Sequence, residues 1–169
     1  MIPETETRKV AFICSKGTLD MAYPALVMGW AALGNGIDVT IFFTFWGMDI
    51  INKNRIDALE LAPVANTSMK MSMMGVKTGN LGIPNLMGVL PGMTAFATNL
   101  MKKKIEEVGA PPVREYLQML VDGGAKLYAC KMSVDMMGLT KEDFVEGVCD
   151  IVTASDFLDL SEGAQIIFI

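Results

Sequence analysis

Two short apolar runs joined by one long helical pattern constrain this chain more than any other feature. Residues Lys9 to Cys14 (KVAFIC) stop abruptly at Ser15-Lys16-Gly17, as a buried strand does where it runs into a loop. From Thr18 the pattern turns helical. Leu19, Leu26, Val27, Trp30 and Leu33 are spaced to share one face, Pro24 is expected to bend or delay the first turn, and Gly34-Asn35-Gly36 ends the helix. Asp38 to Phe43 (DVTIFF) then repeats the strand signature with β-branched and aromatic residues. A strand-helix-strand unit of this length implies a parallel pair with a right-handed crossover.

The second half continues the rhythm. Residues 126–130 (KLYAC), 149–154 (CDIVTA) and 165–169 (QIIFI) read as three more strands, with Cys149 turned into packing. Between them Thr140 and Asp143 have the spacing of a capping box, and Ser155 with Asp156 is read as a second helix cap. Five strands alternating with helices predict a three-layer α/β/α sandwich around a mainly parallel five-stranded sheet. At 169 residues the chain fits one domain, 1–169, with an insertion at about 52–104 that breaks the pattern. Met69, Met71, Met73 and Met74 cluster in that insertion. They are read as fillers of irregular packing rather than copper ligands.

A charge-free window at 78–101 is long enough to cross a bilayer, but Pro84, Pro91, three asparagines and four glycines argue against a spanning helix. The expectation is a segment packed on the domain or on a neighbouring subunit. Peripheral membrane contact is the alternative, with Lys102 to Lys104 at anionic headgroups. Half the residues are apolar, which points to surface buried between subunits and so to a homo-oligomer. Fourteen basic against nineteen acidic residues give a net charge of −5, and Lys102-Lys103-Lys104 is the longest basic block, so nucleic acid is not expected as a partner. The polar stretch from Met1 to Lys9 lacks the apolar core of a signal peptide, and a cytoplasmic setting is expected.

The chain contains no histidine. That removes Ser-His and Cys-His catalytic pairs and imidazole metal ligands, and no metal or cofactor is expected. Ser15-Lys16-Gly17-Thr18 lacks the rest of a phosphate-loop pattern, and no glycine-rich fingerprint supports a flavin or nucleotide domain. Covalent chemistry is left to Cys14, Cys130 and Cys149, whose odd number and wide spacing indicate reduced thiols rather than a disulfide framework.

In a parallel sheet, ligands bind where the carboxyl ends of the strands meet the amino ends of the helices. Cys14 and Cys130 each end a strand there, whereas Cys149 does not. A thiol gains nucleophilicity when its pKa falls from about 8.5 toward neutrality, through cations and backbone amides. Lys131 and Ser133 flank Cys130, and Ser15 and Lys16 flank Cys14. Most free cysteines are simply small buried hydrophobes. Position at the sheet edge is what singles out Cys130 first and Cys14 second. Glu106, Glu107, Asp156 and Asp159 are read as solvated helix faces, and Phe42, Phe43, Phe45 and Trp46 as core or as the wall of an edge pocket.

Three stretches, KVAFICSKGTLDMAYPAL, GIDVTIFFTFWGM and KLYACKMSVDMMGLTKEDFVEGV, together resemble the DsrE/DsrF/DsrH-like proteins, in the larger DsrE-like branch with a mid-chain insertion. The resemblance spans nearly the whole chain. Its most specific parts are Phe43 to Gly47 (FTFWG) and Ala129 to Gly138 (ACKMSVDMMG). It implies a five-stranded parallel sheet between helices and assembly into trimers or hexamers. The implied activity is sulfur relay: a cysteine accepts sulfane sulfur from a small donor or a sulfur-carrier protein, holds it as a persulfide and passes it on. By resemblance the carrier maps to Cys130 and a second family cysteine position to Cys14, and the branch has been linked to membranes. The competing reading is a non-catalytic assembly or membrane-peripheral subunit acting through residues 78–101.

Overall fold

Strands form where β-branched and aromatic side chains are packed on both sides, and helices fill the intervals. The computed structural model describes residues 7–62 and 90–169. In chain order the elements are β1 (Lys9–Cys14), α1 (Leu19–Gly34), β2 (Asp38–Phe43), a 3-10 turn (Phe45–Gly47), α2 (Met48–Ile51), a second 3-10 turn (Ile56–Ala58) and α3 (Met93–Glu107). They continue as α4 (Val113–Asp122), β3 (Lys126–Cys130), α5 (Lys131–Met137), a third 3-10 turn (Lys141–Asp143), β4 (Val148–Val152), α6 (Ala154–Leu160) and β5 (Gln165–Phe168). The methionine cluster at 69–74 and residues 78–89 of the charge-free window lie outside the described residues.

The described chain groups into two compact units. The first comprises Met1–Gly17, Met21–Leu59 and Val113–Ile169, and it holds the sheet. Its five strands are ordered β4-β3-β2-β1-β5, and every neighbouring pair is parallel. All carboxyl ends therefore emerge at one edge, as the sequence predicts. Register assigns the faces, because paired residues of parallel strands point the same way and residues alternate along each strand. Val10, Phe12, Cys14, Val39, Ile41, Phe43, Leu127 and Ala129 share one face. At Gly29 an added Cβ would lie 3.2 Å from Leu120 and 3.5 Å from Val39, so α1 and α4 meet over that face with no room for a side chain to spare. Ala11, Phe42, Tyr128, Cys130 and Val152 line the other face together with Phe157 of α6, whose ring stacks on Phe42 with centroids 4.4 Å apart.

The second unit comprises Thr18–Asp20 and Glu60–Pro112. Within it Leu61, Ala97 and Met101 form a small apolar cluster, the Leu61 N–H donates to Thr98 Oγ1 at 2.9 Å, and the Leu19 N–H donates to the Glu60 carbonyl at 2.9 Å. Among the described residues no helix is long and apolar enough to cross a membrane.

Several local expectations are corrected. Val27 and Trp30 lie on the exposed side of α1, and the buried stripe is Leu19, Ala22, Ala25 and Leu26. From Met21 to Gly34 the helix carries no charge, so its apolar spacing does not reveal which side faces the sheet. Pro24 sits inside the helix, which starts before it at Leu19, so the first turn is not delayed. Cys149 is exposed rather than packed. Leu127 pairs with Val148 but Tyr128 pairs with Asp150, so Cys149 is the extra residue of a bulge on an edge strand.

The capping box at Thr140 and Asp143 forms, but it caps a 3-10 turn. The cap of α6 is Thr153, not Ser155. Asp156, read as a solvated charge, closes that box: its carboxylate accepts from the Thr153 N–H at 2.8 Å and from the Thr153 hydroxyl at 2.7 Å. These bonds hold the Asp156 carboxyl below its ordinary value. Replacing Thr153 with alanine is expected to lower stability by about 1 kcal/mol, measured by urea unfolding.

Candidate functional site

The site is built where β2 and β3 end. Cys130 is the last residue of β3 and the N-cap of α5, with an extended backbone at φ −72 and ψ 119. A residue in that position faces the amides of N2 and N3, here Met132 and Ser133, which lack intrahelical partners. The sulfur makes no capping hydrogen bond, yet the surroundings favour its anion. Burial by itself pushes the thiol up. The Ser133 amide, the Thr44 and Ser133 hydroxyls and the Met132 amide outweigh burial, and the Cys130 pKa falls below the ordinary thiol value.

Ser133 is fully buried and fixed by residues distant in sequence. Its Oγ accepts from the Phe45 N–H at 2.8 Å and lies 3.2 Å from Thr44 Oγ1. Thr44 in turn donates its N–H to the Cys14 carbonyl at 2.9 Å. Phe45 pays a conformational cost to present its amide, since it has φ 45, left-handed for a residue that is not glycine. Gly47 then lets the turn close against β1. A Cβ there would lie 2.1 Å from the Cys14 carbonyl oxygen, and one at Gly17 would lie 2.2 Å from that of Trp46. The Phe-Thr-Phe-Trp-Gly stretch is thus a backbone clasp between β1 and β2 that brings the Thr44 hydroxyl and the Phe45 amide to Ser133 beside Cys130.

Cys14 sits elsewhere. It pairs in register with Phe43, which pairs with Ala129, so Cys14 shares a face with Ala129 while Cys130, the next residue, points to the opposite face. The two strands are separated by β2, a lateral distance of roughly 10 Å. Burial pushes the Cys14 thiol up to about 12. The structure does not bring the two sulfurs together. Ser15 uses its hydroxyl and its N–H on the Ile169 carbonyl, at 2.9 and 2.8 Å, which ties β1 to β5. Lys16 is exposed on the same loop. Lys131 directs its ammonium to Asp135 one turn on, at 2.5 and 2.6 Å, so hydroxyls and amides rather than this cation surround the Cys130 sulfur.

Thr44 is the residue that sequence reasoning missed. Its signal was present, because it is the polar residue directly following a strand at the same edge as Cys130. Around the site Phe45, Trp46, Met132 and Met136 are exposed apolar side chains. Among the described residues no group of histidine, cysteine or carboxylate side chains is arranged to hold a metal.

Removing the Ser133 hydroxyl is expected to raise the pH midpoint of Cys130 alkylation by roughly one unit, because a hydrogen bond to a charged group is worth about 1.5 to 3 kcal/mol. Iodoacetamide rates for wild type and Ser133→Ala across a pH series measure this. An unchanged midpoint would show that the backbone amides suffice.

Comparison with known proteins agrees with this architecture. The chain is 35% identical over 161 residues to the sulfur carrier protein DsrE2 of Allochromatium vinosum, covering 95% of this chain and 97% of that protein. It is 26% identical over 164 residues to the uncharacterized protein YrkE of Bacillus subtilis, covering 97% and 98%. Two solved structures share the fold at 11% identity. They are MTH1491 of Methanobacterium thermoautotrophicum, a protein of unknown function, with a TM-score of 0.55 over 96% of this chain and 99% of that one, and the ychN protein of E. coli, with 0.51 over 96% and 100%. Residues 6–169 match the DsrE/DsrF/DrsH-like family, and the chain belongs to it.

Proposed function

We propose that this protein is a sulfur carrier that accepts sulfane sulfur on Cys130 and passes it to a partner. The observation that carries the reading is the Cys130 environment, in which a buried thiol is nonetheless shifted toward its anion by amide and hydroxyl donors. In the loading step the Cys130 thiolate attacks the outer sulfur of a donor persulfide, R–S–SH. A new S–S bond forms, the donor S–S bond breaks, and the electron pair leaves on R–S⁻. In the unloading step an acceptor thiolate attacks the outer sulfur and Cys130 leaves as a thiolate. A lowered pKa serves both halves, because it supplies the nucleophile in the first and improves the leaving group in the second. No histidine is needed, since no proton has to be taken from the attacking group once it is ionised.

The sulfur carrier DsrE2 is so named among the relatives, which supports the same role here. Limited exposure protects a persulfide from stray thiols, while the apolar rim of Phe45, Trp46, Met132 and Met136 offers a surface on which a partner protein can dock. The three free thiols fit a reducing compartment such as the cytoplasm. We also infer a homo-oligomer, a trimer or hexamer as the family resemblance implies. Pro24, Val27, Met28, Trp30 and Ala31 leave the outer side of α1 apolar and uncharged, which a solvated helix would not be.

Intact mass spectrometry after incubation with a polysulfide donor tests the reading. A gain of about 32 Da that is lost on reduction and confined to Cys130 supports it. No gain at Cys130 overturns it.

A further inference from the structure

The two edges of the sheet are built differently. On β4 the ladder is broken by the bulge at Cys149, the Cys149 carbonyl accepts from Lys141 Nζ at 3.0 Å, and Asp150 lies 3.9 Å from the same ammonium. Bulges and charges are the usual protection of an exposed edge. On β5 the sequence is Gln-Ile-Ile-Phe, with no charge, proline or bulge. The Ile169 N–H donates to the Ile13 carbonyl and the Ser15 N–H to the Ile169 carbonyl, each at 2.8 Å. Main-chain groups alternate in direction along a strand, so those of Ile167 also face β1 while the N–H and C=O of Ile166 and Phe168 point outward. These outward groups have no hydrogen-bond partner among the described residues. The side chains match: Ile166 is 47% and Phe168 69% exposed, on the face where α6 also leaves Leu158 and Leu160 exposed.

We propose that β5 pairs antiparallel with β5 of a second copy of this chain across a two-fold axis at Ile167, joining two sheets into one. The inference rests on the homo-oligomer reading above and names a contact for it. Unsatisfied main-chain donors and acceptors at strand spacing call for another strand. On a second copy, the edge without a bulge or charge is again β5. The axis places Ile166 opposite Phe168 of the partner copy twice, which gives about four main-chain hydrogen bonds. An axis perpendicular to the sheet keeps both apolar pairs on one face, where cross-strand aromatic and β-branched contacts are favourable. A two-fold contact builds dimers directly and hexamers by joining two trimers.

Sedimentation velocity of wild type, Ile166→Pro and Phe168→Lys tests this. Proline at 166 removes only an outward N–H, and Phe168 is exposed, so both variants should keep the wild-type far-UV spectrum and Cys130 alkylation rate. The expected result is a wild-type oligomer whose mass halves in each variant. In a Cys149→Ser background, Ile167→Cys should also form a disulfide-linked dimer on oxidation, because a non-hydrogen-bonded antiparallel pair brings the two Cα atoms within bridging distance. A wild type that stays monomeric overturns both this contact and the homo-oligomer reading. An oligomer whose mass neither variant changes overturns the contact alone.

Discussion

Replacing Cys130 with serine is expected to abolish sulfur loading, so that the mass gain of about 32 Da seen after polysulfide treatment disappears from the intact protein. Serine keeps the size and is a favoured N-cap residue whose hydroxyl accepts from the N2 or N3 amide, so the variant should fold as the wild type does. What it lacks is an ionisable sulfur. The informative comparison is Cys14→Ala, which should load like wild type. With its thiol pushed up to about 12 by burial, Cys14 holds at neutral pH a thiolate fraction of about one part in 10⁵. It also lies on the opposite face of the sheet from Cys130, so it is not placed to take the sulfur over. Loading that survives in Cys130→Ser but fails in Cys14→Ala would reverse the assignment.

The second large effect is structural. Gly47→Ala is expected to destabilise the protein by about 3 kcal/mol or more, at the upper end of what overpacking costs. Its Cβ would meet the Cys14 carbonyl oxygen at 2.1 Å and the carbonyl carbon at 2.8 Å, and both are backbone atoms of a central strand that has no flexible end to swing aside. Relief requires the turn to lift from β1, which stretches the Thr44-to-Cys14 hydrogen bond and carries the Phe45 amide away from Ser133. Chemical unfolding reads the stability. Alkylation at neutral pH should show Cys130 slowing in the folded variant as the Thr44 hydroxyl withdraws. Gly138→Ala is the contrast: it has a positive φ of 64 but nothing within 4 Å, so the backbone penalty of about 1 kcal/mol stands alone. Equal losses in the two variants would show that the clasp at Gly47 yields more easily than its contacts imply.

Much of this molecule is written locally. β1, α1 and β2 are legible because apolar runs, turn residues and helical spacing are properties of neighbouring residues, and the parallel pairing follows from the length between the two strands. The place of Cys130 is legible for the same reason, since a strand end followed by a helix start is a local event. Which side of α1 is buried is not, because a helix apolar all round has no stripe to read. Nor is the exposure of Cys149, which depends on a one-residue slip against β3.

The two cysteines at the sheet edge separate in the same way. Sequence places Cys14 and Cys130 at the ends of parallel strands. Register alone puts them on opposite faces, because one residue along a strand reverses the direction of a side chain. The groups that shift the Cys130 thiol come from Ser133 and Thr44, which are 89 residues apart and meet only because β2 and β3 are neighbours. Sequence by itself determined the strands, their parallel sense and the candidate thiol. Tertiary structure decided which thiol lies among donors that favour its anion, because a pKa depends on donors and solvent within a few ångströms in space, and that neighbourhood is assembled from distant parts of the chain.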